Sequence, residues 1–399
     1  MDNIEKNKVI NEKTSERKKL VRELWKKAYK KLIAWYRDLD PSVFSRFLQE
    51  KAALRERNDI IYFDIIGRIR ERAKALGYYT ETIRSDGASL IAYLLGAVDD
   101  NPLKPFYYCK EHGWIRFSSS KEFYLDLNDK RLCTWCSLDN APHRFETNGT
   151  NIPFEAYLWR GKEPHHRINV PTAFLEEGTQ MLKNISDESG VSLPITIEAE
   201  STLDLIHNLE TKTGIKVTDI SLHNEALLTA FCTENIEDIL NIPNKELYRN
   251  MLRLCKPKSF FDLLKITGMA HSVQVWTNNL ENRLKNNLCD FDEIPVFAED
   301  IFLAIRTEME RLGINGEGLA NEIAYNAVSG YYVDNQTDDE SAHCIILLGF
   351  DNWFEKFISK IQYIISKSHA VIILKRQLYM IWYKLNYPNE YTLIMESAK

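Results

Sequence analysis

Four residues stand at the spacing of a metal site: Cys109-x-x-His112 and Cys133-x-x-Cys136, two pairs separated by twenty residues. Each pair spans a knuckle short enough to turn both donors toward one tetrahedral ion, and three thiolates with one imidazole suit zinc. A set whose four positions are all filled by protein is structural, because catalytic zinc keeps one position open. The alternative is a decaying site whose cysteines are simply buried, and His143 is a further donor at hand. Seven cysteines, an odd number, fit free or metal-bound thiols better than a disulfide framework. His165-His166 offers imidazoles better matched to zinc or copper than to magnesium. Adjacent histidines are more often surface residues than ligands, however, and on a strand they point to opposite faces.

The elements that must hold these residues follow from periodicity. Leu20, Leu24, Trp25, Ala28, Tyr29, Leu32 and Tyr36 recur at helical spacing. Asp40-Pro41 is an N-cap followed by a first-turn proline, and it opens a second helix carrying Val43, Phe44, Phe47 and Leu48. A third helix is expected from about Tyr62 to Leu76, stopping near Gly77. Residues 105–153 change to short β-prone pieces around the four ligands, and 171–201 are weakly patterned. From Leu203 onward the rhythm is helical. Ser201-Thr202-Leu203-Asp204 and Ser259-Phe260-Phe261-Asp262 read as capping boxes, with stops at Gly214 and Gly268. Later helices are expected over 299–312, 317–328, 351–366 and 369–386, with an acidic loop at Asp334–Glu340.

The 399 residues are 44% hydrophobic and 11% aromatic with only 16 Gly and 12 Pro, which excludes a disordered chain and favours long helices. No apolar run is long enough to span a bilayer, and the start lacks an apolar signal region, so a cytoplasmic protein away from membranes is expected. The net charge of -6 is uneven: residues 1–37 hold twelve Lys/Arg against five Asp/Glu, or +7, leaving -13 elsewhere. A basic amphipathic start can touch phosphates or present a solvated face.

Four blocks go further. They are Gly77-Tyr78 through Arg84, Gly87, Ser89 and Asn101-Pro102-Leu103 to Tyr108-Cys109; Gly149, Ile152-Pro153-Phe154-Glu155 and Leu158; Lys256-Pro257 through Phe260, Gly268, His271 and Val275-Trp276; and Trp353 through Ile361, Tyr363, Lys367, His369-Ala370 and Tyr387-Pro388. In this order they resemble the PolC-type bacterial DNA polymerase III α subunit.

Nucleotidyl transfer on two metals needs acidic oxygens that hold the ions close together. In that family two such aspartates lie in a Pro-Asp-Ile-Asp-Leu-Asn-Phe strand. The segment similar to it here is Pro164-His165-His166-Arg167-Ile168-Asn169-Val170, and counting back from Thr213-Gly214-Ile215 puts Thr196 at the third position. The resemblance thus implies that His165, Arg167 and Thr196 occupy the catalytic positions, that no catalytic residue can be assigned, and that Mg is not expected. The long palm stretch between these segments shrinks to about Thr172–Pro194. Glu198, Glu200 and Asp204 are near enough to act as relocated ligands, although Arg167 puts a permanent cation where a metal would sit. The family has four cysteines in its zinc insert, and His112 takes the place of the second. Residues similar to those that meet nucleotide or DNA are Arg84, Gly87, Ser89, His271, Lys367, His369 and Arg376. Ser85 replaces a glycine of that turn, and Asp86 adds a negative charge that would weaken an anion-binding nest.

The implied fold is α+β and predominantly helical: a degenerate polymerase palm with a small zinc ribbon plus a helical fingers-like domain. Residues 1–59 would form an N-terminal basic helical segment, 60–200 the palm remnant with its ribbon at about 105–150, and 201–399 the fingers-like part. The resemblance does not extend to PHP, exonuclease, OB-fold or helix-hairpin-helix segments. The expected function is that of a catalytically inactive, PolC-like protein, not an enzyme, with structural zinc. It would bind DNA in a weak, salt-sensitive way, or a replisome or phage protein, as a mimic or regulator in a mobile-element or phage-conflict setting. Two alternatives stand beside it: an active or partner-completed DNA-directed DNA polymerase or nucleotidyltransferase with relocated metal ligands, and a structural subunit of a protein complex.

Overall fold

The computed structural model describes residues 2–36, 40–118, 123–127, 133–138, 145–159, 165–189, 192–233, 244–315, 317–331, 348–350 and 352–398. His143, Pro164 and Asp334–Glu340 lie outside the described residues. Three helices come first, α1 (Asp2–Trp35), α2 (Pro41–Arg57) and α3 (Ile60–Ala75). Of the α1 stripe, Leu24, Trp25, Ala28, Leu32 and Tyr36 are buried, while Leu20 and Tyr29 stay exposed. Asp40 caps α2 by accepting the Ser42 N–H at 2.8 Å. These helices, from Leu24 onward, share one apolar core with the sheet that follows.

Next come β1 (Glu81–Ile83) and α4 (Leu90–Leu95), the latter packed into that core. A small antiparallel sheet branches off, made of β2 (Phe106–Cys109), β3 (Trp114–Phe117) and β4 (Glu146–Asn148) in the order β3-β2-β4, with α5 (Thr134–Leu138) between the last two in sequence. The chain then returns through α6 (Glu155–Leu158) to β5 (His166–Val170), α7 (Thr172–Ser189) and β6 (Ile195–Ala199). The order is β1-β5-β6, with β1 antiparallel to β5 and β5 parallel to β6 across the α7 crossover. Residues 171–201 therefore carry regular structure that their pattern does not announce. Along α7, Phe174 and Gly178 are buried and Leu175, Met181, Leu182 and Ile185 pack half-buried on the same core.

Helices follow: α8 (Ser201–Thr213), α9 (Glu225–Cys232), α10 (Lys245–Cys255), α11 (Phe260–Ala270), α12 (Glu281–Lys285), α13 (Ala298–Arg311), α14 (Glu317–Ser329), α15 (Asn352–Ile358), α16 (Lys367–Asn386) and α17 (Pro388–Ser397). The capping box expected at Ser259 forms, Ser259 accepting the Asp262 N–H at 3.0 Å and Asp262 the Ser259 N–H at 3.1 Å. The box expected at Ser201 does not. Glu200 caps α8 instead, accepting the Thr202 N–H. The helix expected over 351–366 ends at Ile358, because the chain leaves to pair Tyr363 with Val273 in an isolated bridge. A second large core surrounds α16, which is buried along most of its length, charged residues included.

Candidate functional site

At the ribbon, β2 ends at Cys109 and Gly113 turns the chain with φ +64°, its N–H donating to the Cys109 carbonyl at 2.8 Å. This brings His112 back over Cys109. The short helix α5 supplies Cys136, and Cys133 immediately precedes it. The four donor atoms lie within 4.8 Å of one another. His112 Nδ1 is 3.4 Å from Cys136 Sγ and 3.5 Å from Cys109 Sγ, and the two sulfurs are 3.5 Å apart. A tetrahedron with Zn–S of about 2.3 Å and Zn–N of about 2.0 Å has edges of roughly 3.4–3.8 Å. The donor set therefore fits a metal ion of that size and preference.

The second site lies on the three-stranded sheet. Arg167 on β5 pairs in register with Thr196 on β6, so two of the three positions implied to be catalytic do come together. Arg167 Nη1 meets Glu198 Oε2 at 3.1 Å, from the same face one pleat along. Beside this pair a cleft of about 490 Å³ opens. Its lining includes Arg84, Ser85, His165, Arg167, Ser366 and His369, together with Trp159 and Tyr363, and no Asp or Glu among the described residues. Two of the three positions implied to be catalytic, His165 and Arg167, thus border a basic cavity.

Asp86 does not spoil that cavity. It is fully buried, and its Oδ1 lies 2.9 Å from His166 Nδ1, itself fully buried. The turn keeps the carboxylate inside and leaves Arg84 exposed, at φ +74°, with its carbonyl accepting the Ser368 hydroxyl at 2.7 Å.

Other residues singled out by the resemblance sit in the interior. Gly87 is required by packing, since a Cβ there would stand 2.8 Å from Ser368 Cβ. Ser89 is buried as the cap of α4 and donates to Glu50 at 2.8 Å. Lys367 is buried with its ammonium over the Phe261 ring and 3.3 Å from the Asn151 carbonyl, and burial holds its pKa below the usual range. Its N–H donates to Glu299, whose burial pushes the carboxyl up to about 7. Arg376 is 5% exposed and grips Glu81 through Nε at 2.6 Å and Glu200 at 3.3 Å. Lys367 and Arg376 are therefore not presented to DNA, because each is consumed in joining α16 to the rest of the fold. Sequence reasoning missed Glu50, fully buried, which accepts the N–H groups of Leu90 and Ile91 and the Arg46 guanidinium. Its only signal was a carboxylate on the apolar side of α2.

His369 has a measurable consequence. Burial, with the charges of Arg376, His271, Arg84 and Arg167 around it, lowers its pKa to about 4. The unfolded chain takes up that proton near pH 6.5, so this contribution is complete above about pH 6.5 and is lost as pH falls toward 4. The loss is at most about 3 kcal/mol at roughly 1.4 kcal/mol per unit. In urea unfolding at pH 7 and pH 4.5, the wild type should lose more stability toward acid than His369→Gln does, by about that amount. Equal pH slopes in both proteins would contradict it.

Residues 199–301 match the bacterial DNA polymerase III alpha subunit finger domain. The DNA polymerase III PolC-type of Lactococcus lactis is 23% identical over an alignment covering 90% of this chain and 28% of that protein. The chain resembles PolC-type DNA polymerase III. The PolC-type proteins of Mycoplasmopsis pulmonis and Thermotoga petrophila are each 22% identical, over 94% and 86% of this chain and 32% of their own length. The chain thus spans about a third of the length of these PolC-type relatives. The three alignments run to 476, 490 and 460 positions against 399 residues here, so each PolC-type relative carries residues in this region that the chain lacks.

Proposed function

We propose that this PolC-like chain does not polymerise DNA and acts by binding DNA or a replisome component, with zinc holding its ribbon. The observation that carries this reading is the pairing of Arg167 with Thr196, where two-metal transfer needs carboxylates, in a cleft lined by no Asp or Glu among the described residues. The nearby carboxylates are already engaged. Glu198 pairs with Arg167, Glu200 caps α8 and meets Arg376, and Asp204 accepts the Thr172 N–H at 2.6 Å and its hydroxyl at 2.7 Å. This weighs against relocated metal ligands. The DNA-binding half of the reading rests on the basic start of the chain, where residues 15–20 are exposed on α1, and on the resemblance. A role as mimic or regulator in a phage-conflict or mobile-element setting belongs to the same proposal.

Primer extension with Mg²⁺ or Mn²⁺, with a PolC-type polymerase as positive control, should yield no product. Extension that survives Arg167→Ala and disappears in Glu198→Gln would overturn the proposal and favour relocated ligands.

A further inference from the structure

The sheet β1-β5-β6 ends on β6, and the register of that strand fixes which of its backbone groups face outward. Arg167 pairs with Thr196, the His166 N–H donates to the Pro194 carbonyl at 2.8 Å, and the Glu200 N–H donates to the Val170 carbonyl at 2.9 Å. In a parallel pair this turns the even-numbered residues of β6 toward β5. The N–H and C=O groups of Ile195, Ile197 and Ala199 therefore point away from the sheet, and no hydrogen bond from another described residue reaches them. Exposed edges are normally blunted by lysine, proline or a bulge. Within Ile-Thr-Ile-Glu-Ala none of these is present, the register with β5 is unbroken, and the one charge, Glu198, is paired with Arg167 at 3.1 Å. The side chains of Ile195, Ile197 and Ala199 share the face covered by α7, where a Cβ added at Gly178 would stand 3.4 Å from Ile197 Cδ1. The α7 stripe that begins with buried Phe174 and Gly178 continues as half-buried Met181, Leu182 and Ile185, so one sheet does not cover it all.

From this we infer that β6 pairs with β6 of a second copy of the chain, antiparallel about a two-fold axis at Ile197, joining two three-stranded sheets into one of six strands. The strand is complementary to itself in that register. The two Ile197 residues exchange both of their hydrogen bonds, and Ile195 meets Ala199 of the second copy on either side, so every outward group of β6 gains a partner. With the axis at Thr196, Ala199 would face the segment before the other strand. With the axis at Glu198, two carboxylates would stand directly opposite each other, which is unfavourable. In the register centred on Ile197 each Glu198 instead faces Thr196 of the second copy, and Arg167 already balances its charge. On the other face isoleucine meets isoleucine across the axis, a favourable β-branched pair. An axis perpendicular to the sheet keeps both α7 helices on the same side, where their half-buried apolar residues add area to a contact whose direction comes from the backbone.

Analytical ultracentrifugation of the full-length protein, over about a hundredfold range of micromolar concentration, should show a reversible monomer–dimer equilibrium. Ile197→Pro should weaken the dimer about tenfold or more, because each copy loses a donor at the axis. The monomer loses no hydrogen bond of its own in that variant, since the Ile197 N–H faces outward and an edge strand tolerates proline there. Ile197→Lys keeps the N–H but sets two like charges across the axis, and it should weaken the dimer as well. In hydrogen exchange, the amides of β6 should gain protection as concentration rises while those of α16 stay unchanged. Circular dichroism and urea unfolding identify which variants remain folded, and if Ile197→Pro does not, Ile197→Lys and the exchange of the wild type decide. A protein that is monomeric at every concentration would overturn the inference, including the case in which this edge serves a strand of another protein. So would a dimer that persists in a folded Ile197→Pro or Ile197→Lys protein, or one that forms with no change in exchange along β6.

Discussion

Cys133→Ser protein should lose its metal and, with it, the order of β2–β4 and α5. The fully buried part of that ribbon is small: Tyr107, Cys109, Leu127, Cys133, Cys136 and Phe145 form its whole core among the described residues, and three of the six are ligands. So little apolar surface cannot hold a fold unaided, and a bound metal would supply the difference. Structural zinc in comparable small modules contributes about 10–16 kcal/mol of binding free energy, which is also folding free energy. The expected result is about one zinc per chain in wild-type protein purified without chelators, none in Cys133→Ser, and fast amide exchange confined mainly to β2–β4 in the variant. The larger cores lie outside the ribbon, so loss of metal should not melt α16. Wild-type protein that carries no zinc, or a Cys133→Ser protein with unchanged exchange, would refute this assignment.

Arg376→Ala should cost about 3–5 kcal/mol, the usual consequence of leaving a buried charge without its partner. Glu81 is 2% exposed and lies on β1 beneath α16, and burial raises its carboxyl above the ordinary range even with the guanidinium beside it. Without Arg376, Glu81 must either stay charged in an apolar setting or take up a proton, and both are unfavourable at neutral pH. Urea denaturation should reveal the loss, and the double change Arg376→Met with Glu81→Gln should recover much of it. If Arg376 instead served DNA, Arg376→Ala would fold normally and lower affinity for primer–template. That pattern would sink the structural role argued from its burial.

The sequence was most legible where a pattern has one physical cause. The α1 stripe from Leu24 to Tyr36, the Asp40 cap and the Ser259 capping box all appear, because helical spacing and capping act over a few residues. The two Cys/His knuckles converge for the same reason. Long-range charge pairing was not legible. Arg376 and Lys375 look like the polar face of a helix, and only the packed fold shows Arg376 on Glu81 and Lys375 on Asp100, 2.9 Å away. Asp86 seemed to threaten an anion site because its neighbours in sequence face that way. The turn sends its carboxylate inward to His166, which sequence spacing cannot report. Likewise Gly87 resembles a ligand-binding glycine, yet the crowding at Ser368 gives it a packing reason of its own.

The buried junction between β1 and α16 has a consequence for how the molecule comes apart. Two consecutive cations on one helix are matched by acids that precede the whole helical half in sequence, Glu81 and Asp100. Neither side has a comfortable state alone, since separation strands a charge in each. The sheet and the central helix are thus coupled as one cooperative unit, stitched across nearly 300 residues of chain. A fragment cut near residue 200 would inherit half of every such pair, so the reach of this junction, more than the size of either core, sets how far such a chain can be shortened and still fold.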